Sequence, residues 1–247
     1  MFSESSESFE HYIVFSLLLC FLKTEGMGFD LAIPLAEHTD NNYLDLRYAL
    51  RSFDLYLKPA KVYLIGAKPN WVKNVEHIPA TDHPDTAFRE ANIFHKLLLC
   101  PSEEFVYGSD DNYLLQSFVE EYPWDMLLAQ KLYTMGRFST YQKTISNTLR
   151  LAPHEKNYDG HAPITMRRDI LYRMRAVKWD LPYGYCMKSL YAQVARIKGV
   201  QYPDMKLRAP FLAKDIKGRK WFSTADGVVD KMVPLMDRLY KKKSQYE

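Results

Sequence analysis

The stretch Phe105-Val106-Tyr107-Gly108-Ser109-Asp110-Asp111-Asn112 decides how this chain reads. An apolar run stops at a glycine, and two adjacent acids and an amide follow. A short apolar run bounded by turn residues reads as a buried strand. Carboxylates at the exit of such a strand are poor core residues, because burying an unpaired charge is costly. They suit a hard divalent cation, which takes oxygen donors and shares them with substrate phosphates. The same residues also make an ordinary solvated turn, since Asp, Asn and Gly all favour turns.

The segments before this stretch give it a context. Phe29 to Pro34, FDLAIP, reads as a strand. Asn42 is a candidate helix cap with Asp45 three residues on. Leu46, Ala49, Leu50, Phe53 and Leu57 recur at helical spacing, which predicts an amphipathic helix from Tyr43 to Leu57. Lys61 to Ile65 is a second strand, closed by Gly66, and Val75 to Ile78 a short third one. Asp85 then caps a helix that reaches Leu99, with Phe88, Ala91, His95 and Leu98 on one face. Alternation of strands and helices predicts an α/β fold, a mostly parallel sheet flanked by helices. Ligands in such sheets bind beyond the carboxyl ends of the strands, where Asp110 and Asp111 lie.

The second half is less regular. Tyr122 to Thr134 reads as helical, residues 137–165 as polar with little periodicity, and Asp169 to Val177 and Gly184 to Ile197 as helices. Asp226 to Lys241 reads as a last amphipathic helix that Pro234 kinks or divides.

Composition sets bounds. The 247 residues are 47% hydrophobic and 26% charged, ordinary for a soluble globule with a full core. A net charge of +3 suits a phosphate-bearing substrate and is too weak to argue for nucleic acid. Cys20, Cys100 and Cys186 are far apart and odd in number, which reads as reduced thiols in a cytoplasmic protein. Tyr12 to Leu22 is almost wholly apolar, yet too short to span a bilayer as a helix. The acidic, serine-rich residues before it are unlike the basic start of a signal peptide. Residues 1–26 therefore read as an N-terminal extension and 27–247 as one domain. The alternative for 12–22 is a short amphiphilic anchor giving weak membrane association.

Other candidate site residues follow from spacing. Arg47 and Arg51, four apart, put two guanidinium groups on one helix face. Arginine forks match phosphate oxygens, although such a pair also occurs as solvated residues beside a core stripe. His161, in Gly160-His161-Ala162-Pro163 before Arg167-Arg168, is a candidate general base or phosphate ligand, or a surface-loop histidine. Asp226 ends the apolar run Trp221-Phe222-Ser223-Thr224-Ala225 and is equally a helix cap.

Taken in order, these segments resemble a known family. LRYALRSFDLYL (46–57), KVYLIG (61–66), the Ala91-Asn92 helix and EEFVYGSDDNYLL (103–115) resemble the second signature block of the Stealth family of sugar-1-phosphate transferases. That family includes bacterial capsule polysaccharide polymerases and the lysosomal-enzyme GlcNAc-1-phosphotransferase. GHAPITMRRDIL (160–171) is similar to the start of its third block, and KWFSTADG (220–227) with KKKSQYE (241–247) to its fourth. The stretch DLAIPLAEHTD lacks the tyrosine-threonine-tryptophan run of the first block, and the arginine-rich part of the third is not evident after Met174. The resemblance implies a GT-A-like nucleotide-sugar-binding fold. It implies transfer of a hexose-1-phosphate from a UDP-sugar donor to a glycan acceptor hydroxyl, with release of UMP. On that reading Asp110 and Asp111 hold Mg²⁺ or Mn²⁺, with one of them a candidate base, and His161 is the base or a phosphate ligand. Arg47, Arg51 and Arg168 clamp phosphate, while Asn92 and Asp226 complete the nucleotide or metal shell. The rival expectations are a glycosyltransferase of the same fold, releasing UDP, and a non-catalytic module that binds polyanions through its basic surface.

Overall fold

A computed structural model describes residues 28–37, 41–134, 139–153 and 155–247. The expected extension, its apolar run and Cys20 lie outside them. Cys100 and Cys186 are buried and free.

The core sheet has five strands in the order β3-β2-β1-β4-β7. These are β1 (Asp30–Leu35), β2 (Val62–Gly66), β3 (Glu76–Ile78), β4 (Glu104–Tyr107) and β7 (Ile164–Arg167). The β1–β2, β2–β3 and β1–β4 pairs are parallel, and β7 runs antiparallel to β4. Parallel strands buried on both faces read as continuous apolar runs, as β1, β2 and β4 do.

Alternate residues feed two cores. Leu31, Ile33, Leu64 and Val106 face one side and pack with Leu46, Ala49, Leu50 and Phe53 of helix α1 (Leu44–Tyr56). That side is completed by a three-stranded sheet, β5 (Asn112–Leu114), β10 (Trp221–Thr224) and β9 (Lys206–Leu207), and by helix α7 (Val233–Leu239). Ala32, Ile65, Phe105, Tyr107, Ile164 and Met166 face the other side. There they meet α2 (Arg89–Leu98), α5 (Arg168–Met174) and α6 (Met187–Ala195). Two shorter helices are α3 (Leu128–Thr134) and α4 (Thr140–Leu151), and β6 (Pro123–Trp124) pairs in parallel with β8 (Val200–Gln201).

Several local expectations are corrected. Asn42 is not the cap of α1: the cap position is Tyr43, left-handed and without a side-chain cap, and Asp45 instead accepts from Tyr113 Oη at 2.7 Å. Asp85 does cap the turn before α2, accepting from the Ala87 N–H. The buried stripe of α2 is Ala91, Phe94 and Leu97, one position round from the expected face, and His95 is half exposed. Pro123 and Trp124 form a strand where a helix was expected, because their partner is Val200-Gln201. The stretch 137–165 holds α4, whose buried residues are Thr144, Ile145 and Thr148. Pro234 begins the last helix within its first turn, where a missing N–H costs nothing, and a separate short 3-10 turn spans Val229–Lys231.

Candidate active site

The chain leaves β4 through Gly108, whose N–H donates to Ala32 O at 3.0 Å. A Cβ there would lie 2.7 Å from the Phe53 ring, so the core demands glycine. The turn then closes on itself. The Ser109 N–H donates to Asn112 Oδ1 at 3.1 Å, and the Asn112 N–H to Ser109 O at 3.1 Å. Asp110 and Asp111 therefore sit at the tip between β4 and β5, beyond the carboxyl end of β4.

Asp111 is the hub. Its Oδ1 accepts from Ser109 Oγ at 2.5 Å and Asn112 Nδ2 at 3.1 Å. Its Oδ2 accepts from Ser223 Oγ at 2.8 Å, with Lys206 Nζ at 3.5 Å. Ser223 and Lys206 are register partners on β10 and β9, so one parallel pair aims both at the same oxygen. Burial opposes the Asp111 charge, but Lys206 first, then His161 and the two serines, outweigh it and hold the carboxyl below its usual range. Asp110 lies beside it, with Ser109 Oγ at 3.3 Å.

Asn112 ties the hub to the next segment. The amide that serves Asp111 also donates to His161 O at 3.2 Å. His161 has a left-handed backbone, φ 58°. Burial, then the Lys206 ammonium, push its imidazole down to about 4, against the pull of Asp111. The ring is neutral at neutral pH and able to accept a proton.

Behind the hub lies a second ionisable group. Asp159 accepts from the first N–H groups of α6, Lys188 N at 3.2 Å and Ser189 N at 3.2 Å, and from Ser189 Oγ at 2.7 Å. Lys188 turns its ammonium onto Ala162 O and lies 4.9 Å from the centre of the Tyr107 ring. Burial lowers Lys188 to about 8 and raises Asp159. Glu90, at the start of α2, is pushed up to about 7 by burial and then by Asp159. Burial opposes the charge of Arg89, next to it, but Glu90, then Tyr107, Asp111 and Asp110, outweigh it and hold the guanidinium above its ordinary value.

The remaining candidates are elsewhere. Arg51 forks onto Glu247, Nε to Oε1 at 2.6 Å and Nη2 to Oε2 at 2.8 Å. Arg47 lies 3.8 Å from the same carboxylate, with its guanidinium 4.6 Å from the Trp71 ring centre. These forks hold the segment 241–247 against α1. Arg168 donates to Pro101 O at 2.7 Å and sits 3.4 Å from Glu103, at the amino end of β4. Four strand residues at about 3.3 Å each separate it from the acid pair by roughly 10 Å or more, so it does not share their site. Asn92 is spent on the backbone of His83, accepting at 3.0 Å and donating at 3.2 Å. Asp226 is exposed in the turn after β10, and Ser223, not Asp226, is the residue of that segment at the hub. Of the expected residues, Asp110, Asp111 and His161 come together. Lys206, Ser223, Asn112, Asp159, Lys188, Glu90 and Arg89 join them from outside the expectation. Asn112 was in view as the amide after the acid pair, Ser223 lay in the run before Asp226, and Asp159 is two residues before His161, while the others had no local signal.

The donor set bears on the expected Mg²⁺ or Mn²⁺. Both oxygens of Asp111 face two donors each, one of them an ammonium, and a carboxylate has about four lone-pair sites. An ion on Asp111 would have to displace a hydroxyl and sit against a lysine. Among the described residues, no group of three or more His, Cys, Asp or Glu has the arrangement to hold an ion. Asp111, with its lone-pair sites engaged in this way, does not fit a resident cation.

No protein-family model and no curated protein matches the chain. Solved structures do. One is a glycosyltransferase involved in glycosylation of the major capsid of PBCV-1, 12% identical, covering 85% of this chain and 98% of that one, TM-score 0.44. Another is the galactosyltransferase LgtC in complex with donor and acceptor sugar analogues, 10% identical, covering 88% and 97%, TM-score 0.47. Among the described residues no helix is long and apolar enough to cross a membrane.

Proposed function

We propose that this chain is a glycosyltransferase that moves a sugar from a nucleoside-diphosphate sugar to an acceptor hydroxyl. The acceptor oxygen attacks the anomeric carbon. The bond from that carbon to the phosphate oxygen breaks, its electron pair stays on the oxygen, and a nucleoside diphosphate leaves. Neutral His161 takes the hydroxyl proton, and Asp111 fixes the groups around it. The site lies where open parallel sheets bind ligands, beyond the carboxyl ends of β1 and β4.

One observation favours attack at carbon over attack at phosphorus: the arginines expected to surround the phosphorus are engaged elsewhere. Arg51 is forked onto Glu247 and Arg168 is at the far end of β4. Phosphoryl transfer relies on preorganised positive charge around the attacked group. Around Asp111 the cations Arg89, Lys188 and Lys206 instead face the carboxylates Asp110, Asp111 and Asp159. The Stealth-like order of sequence blocks supports the phosphotransferase as the second reading.

The test is the leaving nucleotide. The full chain is incubated with a panel of UDP-sugars and glycan acceptors, and the nucleotide is identified by chromatography. UDP with a glycosidic product is expected. UMP with a phosphodiester-linked product overturns the proposal in favour of phosphotransfer. With UDP as product, His161→Ala is expected to slow turnover about a hundredfold, the lower end for a general base.

A further inference from the structure

We propose that the cation of this site is a side chain: Lys206, and not a divalent metal, neutralises the diphosphate of the departing nucleotide. The inference rests on the glycosyltransferase reading and adds to it how the leaving group is stabilised.

Three features of the geometry carry it. First, the Asp111 carboxylate is already committed. Ser109 Oγ and Asn112 Nδ2 serve Asp111 Oδ1, and Ser223 Oγ and Lys206 Nζ serve Oδ2. Second, Lys206 is the cation that Asp111 already holds. Its Nζ is 3.5 Å from Asp111 Oδ2, its charge acts on His161, and its side chain remains 17% exposed, so a ligand can reach it. Third, it is held there. The β9–β10 pairing sets Lys206 beside Ser223, and the Lys206 N–H donates to Asp204 Oδ1 at 3.0 Å. A lysine on a paired strand, steered by a half-buried acid, is preorganised in the sense that transition-state stabilisation requires.

The chemistry suits an ammonium. It is a compact point charge with three donors, of which the Asp111 contact uses at most one. As the bond between anomeric carbon and phosphate oxygen breaks, negative charge grows on the diphosphate. Lys206 donates to those oxygens and remains protonated, while the acceptor proton goes to His161. Charge and atoms balance with no further reactant.

The experiment measures UDP binding to the full chain by calorimetry, in excess EDTA and in excess Mg²⁺, for the wild type, Lys206→Met and Lys206→Arg. The wild type is expected to bind UDP equally with chelator and with Mg²⁺. Lys206→Met is expected to bind about tenfold or more weakly, the loss of a hydrogen bond to a charged group, with no rescue by Mg²⁺. Lys206→Arg, which keeps the charge, should recover part of the affinity, and thermal melts report whether each variant folds. Binding that chelation abolishes in the wild type, or that Lys206→Met leaves unchanged, overturns the inference while leaving the glycosyltransferase reading in place. If neither UDP nor ADP, GDP or CDP binds under any condition, the glycosyltransferase reading fails, and this one with it.

Discussion

Arg51→Ala separates a structural arginine from a phosphate clamp. In the wild type the Arg51 and Glu247 side chains are 10% and 5% exposed, and two short parallel bonds join them. Removing one partner of a buried pair leaves the other charge unpaired, which costs about 3–5 kcal/mol. Arg47 at 3.8 Å and the Ser244 N–H at 3.1 Å still serve Glu247, so the lower end, about 3 kcal/mol, is expected. For a chain of 247 residues that lowers the thermal midpoint by roughly 6–12 °C. The effect has a pH signature. Burial opposes the Glu247 charge, but the Arg51 hydrogen bonds outweigh it and hold the carboxyl below its usual range. A carboxyl depressed in the folded state stabilises it above the unfolded value, and that contribution is lost as pH falls through the folded value. The gap between wild type and Arg51→Ala should thus be widest near pH 7 and close on acidification. Melts across pH, with Glu247→Gln and the double variant completing a cycle, measure it. A midpoint within a degree of wild type, combined with lost turnover, would refute the reasoning and return Arg51 to the phosphate.

Further outcomes are expected from the same structure. Glu90, raised from 4.5 to about 7 by burial and then Asp159, keeps its proton in the folded state while the unfolded chain has lost it, so wild-type stability falls by up to about 3 kcal/mol as pH rises through that window. Glu90→Gln should therefore melt higher than wild type at pH 8, with the difference closing towards pH 4; a difference that does not vary with pH contradicts the assigned burial. If neutral His161 is the base, the acid limb of kcat/KM should bend near pH 4, since the ring accepts a proton only above its depressed value, and a bend at the ordinary 6.5 would count against it. Gly66→Ala should destabilise by about 1–3 kcal/mol, because φ is +110° and the new Cβ would meet Leu35 O at 2.2 Å; an unchanged melt would show that the β1 and β2 ends yield more readily than drawn here.

The parallel strands of the central sheet were legible because their signals are local, whereas the antiparallel β7, which begins in the stretch read as polar with little periodicity, was not. Each of β1, β2 and β4 is a short apolar run closed by turn residues, and parallel strands covered on both faces must read that way. Helix α4 was not legible, and the reason is specific. Its inner face is built from Thr144, Ile145 and Thr148, so the buried stripe looks polar. Those threonines are buried because their hydroxyls are satisfied. Thr144 Oγ1 donates to Tyr183 O at 2.6 Å, while Thr148 Oγ1 donates to Thr144 O and accepts from the Cys186 N–H at 2.8 Å. The strand at Pro123-Trp124 likewise depends on Val200-Gln201, a partner no local pattern announces.

The site divides along the same line, and that division bears on function. Two adjacent acids after a strand look the same in sequence whether they await a metal or already hold four donors. The difference lies in Ser223 and Lys206, 112 and 95 positions away from Asp111. Likewise two arginines four apart on α1 look the same whether they face phosphate or Glu247, 196 residues on from Arg51. Local spacing supplies the residue types that suit diphosphate chemistry, and long-range pairing decides which of them are available for it. Here the pairing removes Arg51 and Arg168 and supplies Lys206. A site in which Lys206 takes the place of a metal and arginine forks, as proposed above, carries less positive charge at the phosphates. Attack at phosphorus draws on that charge directly, because both attacking and leaving oxygens crowd it. Attack at the anomeric carbon needs it only on the leaving side, where a single lysine suffices.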